Sequence, residues 1–218
     1  MFGVMRTGVR LVMTNPADPR RVEDYAAWYD GYGAALTGPG FLANAFRFEN
    51  SAAAGTEDDP RFVAVYDIVT SDPATAWPQT VGAPQYPTAM FDDPRSKLVA
   101  PAFRASYALV GSQDSGADRG RLSGVHIALT DGADDTGRQQ WAARVLGTGQ
   151  FYAASRFRLI EGFPHPTEWL EIWETDQPDP RAAYARALGA VGPELPDDAV
   201  RSRRAADFHL VNAYQPAP

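Results

Sequence analysis

The sequence predicts an α+β fold: two tandem β-α-β-β-α-β halves whose antiparallel sheets pack into one barrel within the chain. Three observations predict it. First, the strand pattern FVAVYDI at 62–68 returns as WLEIWET at 169–175, each followed by an Asp-Pro pair, Asp72-Pro73 and Asp179-Pro180. Phe62 then aligns with Trp169, Val63 with Leu170, Val65 with Ile172, Tyr66 with Trp173 and Asp67 with Glu174. Second, the flanking segments repeat in the same order. GPGFLANAFRF at 38–48 resembles GTGQFYAASRF at 147–157, and AFRASYALV at 102–110 resembles AADFHLVNA at 205–213. Third, 218 residues make two copies of one plan of about 109 residues, a common domain size. The halves are 1–110 and 122–218. Between them 111–121, GSQDSGADRGR, has linker composition.

The elements follow in chain order. GVRLVMT at 8–14 alternates and reads as a strand. Asn15-Pro16 stops it, and Asp18-Pro19 starts a helix that runs to about Leu36. Tyr25, Trp28, Tyr29 and Tyr32 share one face of that helix. Strands at 41–49 and 61–69, a short helix after Asp72-Pro73 and a strand at 102–110 complete the first half. The second half reads strand 122–130, helix 134–146, strands 151–160 and 167–175, helix 179–190 and strand 205–214. This is the ferredoxin-like order, twice. Each such half leaves one sheet face bare of helices, and two bare faces bury most simply against each other.

Composition removes several function classes. Hydrophobic residues make up 44% of the chain, ample for a core, and cysteine is absent. That excludes thiol nucleophiles, disulfides and thiolate metal sites. A net charge of −7 argues against nucleic-acid binding. No apolar run has the length of a membrane span, and Arg6 and Arg10 interrupt the opening segment, so a soluble cytoplasmic chain is expected. Gly31-x-Gly33 lies within a helix and is no dinucleotide loop. No Walker A sequence or G-x-S-x-G elbow occurs. Three scattered histidines suggest no metal site.

Strand alternation selects the candidate site residues. In the second half, Val125, Ile127, Leu129, Leu170, Ile172, Phe157 and Leu159 form aliphatic faces, expected under the helices. The mixed faces, with His126, Tyr152, Arg156, Trp169, Glu171 and Trp173, are expected to point into the barrel and line a pocket for a hydrophobic small molecule. His126 can take and return a proton near neutrality. Glu171 could orient it or act as the base, and Arg156 could hold a developing enolate or phenolate. Equally, Arg156 and Glu171 could form a structural ion pair. His209 is a further catalytic candidate in the last strand, while His165, between two prolines, reads as a surface residue. In the first half Trp28, Tyr29 and Tyr32 could face Asn44, Phe46, Asp67 and Tyr107 across a second pocket, or pack as core. The long segment 80–101 could form a lid, an ordered surface loop or an oligomer contact.

Residues 10–41, with their WYD helix and PGF turn, together with FVAVYDIVTSDP, resemble the dimeric α/β-barrel superfamily, and within it the EthD-like branch. The resemblance covers the first 80 residues and extends to the rest through the repeat. It implies the barrel fold and an enzyme without cofactor, acting on an aromatic or polyketide-like molecule by cyclisation, dehydration, isomerisation or oxygenation. The superfamily also implies one alternative, a heme enzyme of the chlorite-dismutase type, for which only His126 and His209 could ligate iron; a non-catalytic binding protein is a third reading. A monomer or homodimer is expected. One feature departs from the branch: its helix histidine is Gly33 here.

Overall fold

The computed structural model describes residues 6–37, 42–50, 52–56, 58–115, 122–131, 135–164, 166–192 and 201–214, the side chains at 135–136 and 201–204 aside. Its elements are β1 (Gly8–Pro16), α1 (Val22–Leu36), β2 (Leu42–Glu49), β3 (Phe62–Ile68), α2 (Pro73–Gly82), β4 (Val99–Asp114), β5 (Gly124–Asp131), α3 (Asp135–Gly147), β6 (Ala153–Phe163), β7 (Trp169–Thr175), α4 (Pro180–Val191) and β8 (Arg201–Tyr214). The Asp-Pro pairs start helices as expected. Asp18, Asp72 and Asp179 each accept a hydrogen bond from the backbone of the first turn, and proline follows.

The strands close a barrel in the order β1-β3-β2-β8-β5-β7-β6-β4. Every neighbouring pair is antiparallel. Two four-stranded sheets, β4-β1-β3-β2 and β8-β5-β7-β6, are thus joined along β2–β8 and β4–β6. β4 runs past the expected strand end. Gly111–Asp114 pair with Arg156–Ala153, so the segment 111–121 begins as strand. β8 begins at Arg201, four residues earlier than expected.

The strand registers of the two halves correspond. Val9 pairs with Tyr107 as Val125 pairs with Phe208, and Arg10 pairs with Ser106 as His126 pairs with Asp207. Gly8 and Gly124 occupy one position in both halves. A Cβ on Gly8 would lie 2.4 Å from the Tyr107 carbonyl oxygen, and one on Gly124 would lie 2.5 Å from that of Phe208. No side chain fits where the first strand of each half crosses the last.

The faces are the reverse of the expectation. Val9, Leu11, Val63, Val65, Val125, Ile127, Phe157, Leu170, Ile172 and Phe208 form one core that draws on both halves and fills the barrel. The mixed faces lie under the helices instead. Ala154 and Trp173 pack with Trp141 and Val145 of α3 and Ala183 and Ala187 of α4. In the first half Ala45, Ala64 and Tyr66 pack with Tyr25, Trp28, Tyr29 and Leu36 of α1. An eight-stranded barrel has an interior that side chains alone fill, so it takes the aliphatic faces. Among the described residues, no helix is long and apolar enough to cross a membrane.

Candidate active site in the second half

A cavity lined by Arg156, Glu171 and Trp173 lies between α3 and the sheet, not inside the barrel. Its volume is about 240 Å³. The sheet supplies Ala154 and Arg156 from β6, Glu171 and Trp173 from β7, and Gln113 at the edge of β4. The helix supplies Arg138, Gln139 and Ala142. Small residues at 142 and 154 leave the space open, and Trp173, set edge-on to Trp141 at 5.2 Å, forms the apolar wall.

Glu171 is the polar centre of this wall. It is 6% exposed. Arg138 donates to its Oε1, and Arg156 Nε lies 3.8 Å from the same atom. A carboxylate this far from water needs such partners. Arg156 also stacks over the Trp169 ring, 4.0 Å from its centroid. The expected association of Arg156, Glu171, Trp169 and Trp173 is therefore present, on the opposite face of the sheet from the one expected. Arg138 was missed. Its signal was legible, because Arg138, Trp141 and Val145 recur at helical spacing and all three are buried.

The other candidates fall elsewhere. His126 shares the sheet face with Glu171, but it does not line the cavity. Its Nδ1 lies 2.8 Å from Asp207 Oδ1, and Tyr184 stacks on its ring at 3.6 Å. The first half carries the same arrangement, with Arg10 stacked on Trp77 at 4.4 Å and bonded to Ser106 and Glu161. Burial lowers the pKa of Arg10, and Glu161 opposes that shift. His209 is exposed on β8, away from the cavity. His165 lies outside the described residues.

The expected first-half pocket is not formed. Asn44, Phe46, Asp67 and Tyr107 turn to the barrel side of the sheet, away from Trp28, Tyr29 and Tyr32. Tyr107 donates to Thr167 at 3.4 Å. The α1 aromatics pack as core, and the segment 80–101 covers them. Trp28 donates to the Met90 carbonyl at 3.0 Å, the Tyr32 and Tyr86 hydroxyls are 3.0 Å apart, and Phe91 packs on both rings. Desolvation raises the pKa of Tyr25, Tyr29, Tyr32 and Tyr66.

Asp67 and Glu174, matched by the repeat, meet at one end of the barrel. Arg6 bridges them: Nη1 lies 3.3 Å from Asp67 and Nη2 lies 2.9 Å from Glu174, with Ser155 Oγ at 2.5 Å. Asn44 donates to Asp67 at 3.1 Å, and Tyr152 donates to Glu174 at 3.5 Å. Tyr152 thus belongs to this cluster rather than to the cavity.

A heme iron needs a histidine beside a porphyrin-sized space. Of the described histidines, His209 is exposed and His126 is sandwiched between Tyr184 and the sheet. The α3 cavity has no histidine in its lining. The described residues do not fit heme. They also hold no group of three or more His, Asp or Glu placed for a metal ion.

No protein-family model matches the chain, and no curated protein matches it in sequence. Solved structures match it in fold. An anthrone oxidase-like protein aligns over 99% of this chain and 96% of its own, with TM-score 0.55 and 8% identity. A candidate monooxygenase from Fusobacterium nucleatum aligns over 97% and 95%, with TM-score 0.59 and 8% identity. A mutant chlorite dismutase from Candidatus Nitrospira defluvii, in complex with cyanide, aligns over 95% and 92%, with TM-score 0.59 and 6% identity. These likenesses extend over nearly the whole chain and establish the fold: a closed antiparallel eight-stranded α+β barrel.

Proposed function

We propose that the chain is an enzyme working without a cofactor on a hydrophobic aromatic or polyketide-like molecule, and that the reaction takes place in the α3 cavity. One observation carries this reading. A buried carboxylate, Glu171, and two guanidiniums, Arg138 and Arg156, cluster in a cavity that the Trp173 ring also lines. An enolisable aromatic ketone would lie on Trp173. Glu171 would take the proton next to the carbonyl, and the guanidiniums would hold the oxygen as it becomes an enolate. The enolate can then cyclise, lose water or react with dioxygen. In the last case a CH2 carbon loses both hydrogens and becomes a carbonyl: one atom of dioxygen stays on it and the other leaves as water with the two hydrogens. The EthD-like resemblance and the anthrone oxidase-like fold match support this chemistry.

The test is oxygen uptake and product absorbance with a panel of anthrones and related enolisable aromatics, with no cofactor added. Turnover is expected, falling by about 10² or more in Glu171→Gln, the usual scale of a lost general base. Turnover unchanged in Glu171→Gln would overturn the assignment. A second reading has its own observation: Arg138 already occupies Glu171, as in a purely structural ion pair. Tight binding of the panel without turnover would select that reading, a non-catalytic binding protein.

A further inference from the structure

We propose that the first half carries a second pocket for a flat aromatic anion, built on Arg47 and closed by the ring of Tyr214. This rests on reading the α3 cavity as a ligand site, because it follows from the correspondence between halves.

That correspondence is fixed by pairing. Gln113 of β4 pairs with Ala154, and Tyr214 of β8 pairs with Ala45. Ala154 in turn opposes Trp173 as Ala45 opposes Tyr66, and Arg156 opposes Glu171 as Arg47 opposes Ala64. The strand arginine is thus present in both halves, and it meets the first aromatic of the next strand in both: Arg156 over Trp169 at 4.0 Å, and Arg47 over Phe62 at 5.7 Å.

The halves differ at the edge strand. Gln113 turns away to the Gln139 carbonyl, 3.1 Å distant, and the cavity beside it stays open. Tyr214 instead lays its ring against α1 at Gly33, where a Cβ would sit only 2.9 Å from the ring, and its hydroxyl donates to Asp30. The ring fills the space that is empty in the second half.

Behind that ring lies a guanidinium with idle donors. Arg47 is 3% exposed, and its Nη2 lies 2.9 Å from Asp30. Its Nε and Nη1 are buried, with no hydrogen-bond partner among the described residues. Idle buried donors on a guanidinium are costly. An aryl carboxylate or phenolate entering past Tyr214 would supply the missing acceptors, and Tyr29 and Tyr66 would flank its ring. Tyr214 is suited to yield, because it is the last residue of β8 and only half-buried.

The probe is 2-naphthoate, titrated calorimetrically. Tyr214→Gln installs the second half's residue, and Gly33→Ala pushes the ring aside with a single methyl. Each is expected to add one site per chain relative to wild type. Arg47→Gln in either background should remove the added site only, and Arg156→Gln should remove the other. An unchanged stoichiometry in a Tyr214→Gln protein with wild-type circular dichroism and Tm would overturn the proposal. If that variant does not fold, Gly33→Ala decides by the same two outcomes. A wild type that binds nothing, beside a Tyr214→Gln protein with one Arg47-dependent site, would uphold this pocket while refuting the α3 reading.

Discussion

Replacing Arg6 by leucine tests how the two halves are locked together. Leu122 stands at the matching place in the second half, and both residues line the same narrow gap at the barrel end. In the native chain one guanidinium serves two carboxylates, one from each copy. The side chains of Arg6, Asp67 and Glu174 are 10%, 2% and 4% exposed, so solvent cannot take over the role of Arg6. Removing one member of a buried ion pair typically costs about 3–5 kcal/mol. For a chain of this size, that corresponds to a drop in Tm of roughly 6–20 °C. Urea unfolding followed by tryptophan fluorescence would measure it as a lower midpoint at unchanged slope. The triple variant Arg6→Leu, Asp67→Asn, Glu174→Gln should recover most of the loss, because no charge remains unpaired. A loss below about 1 kcal/mol in the single variant, or no recovery in the triple, would refute the reasoning.

Three further outcomes are expected. His126→Gln should cost about 1–3 kcal/mol, by breaking the Asp207 bond, and leave turnover within a few-fold of wild type, since His126 does not line the cavity; a turnover loss as large as that of Glu171→Gln would return His126 to the site. Gly8→Ala and Gly124→Ala should each destabilise by about 1–3 kcal/mol or more in thermal melts, because a Cβ collides with backbone in both halves. In an alkaline titration, Tyr25, Tyr29, Tyr32, Tyr66 and Tyr107 should stay protonated past the ordinary tyrosine range until the chain unfolds. Their folded pKa values lie above the unfolded ones. The stability they contribute is therefore full below about pH 10 and is lost as pH rises further. Phenolate absorbance growing before the loss of circular dichroism would contradict this.

The fold was legible because the same pattern is written twice. Strand alternation, Asp-Pro helix starts and the Phe62/Trp169 to Asp67/Glu174 match fixed eight strands and their order. Alternation separates two faces without saying which is inside, and there the expectation failed. His126, Arg156 and Glu171 were assigned to the barrel because polar groups suggest a pocket. A small closed barrel is filled by its own side chains, whereas a helix layer can open at its edge wherever residues such as Ala142 and Ala154 are small. The α3 cavity depends on contacts across about thirty residues of sequence, from Arg138 to Glu171, which one strand's pattern cannot reveal. Asp67 and Glu174 stood out as matched acids. Their partner Arg6 did not, because it precedes β1 and has leucine in place of a cation at the matching position. Tyr214 was hidden by an offset: the strand pairing aligns β4 and β8 two residues away from the match that residue types alone suggest.

The measurement that bears most directly on the account is 2-naphthoate binding to Ala154→Phe. The new ring would fill the α3 cavity from its sheet wall while leaving Glu171, Arg138 and Arg156 in place. The second-half site is expected to be lost while circular dichroism and Tm remain close to wild type. Unchanged affinity in a folded Ala154→Phe protein would place the ligand outside the α3 cavity and overturn its assignment as the binding site.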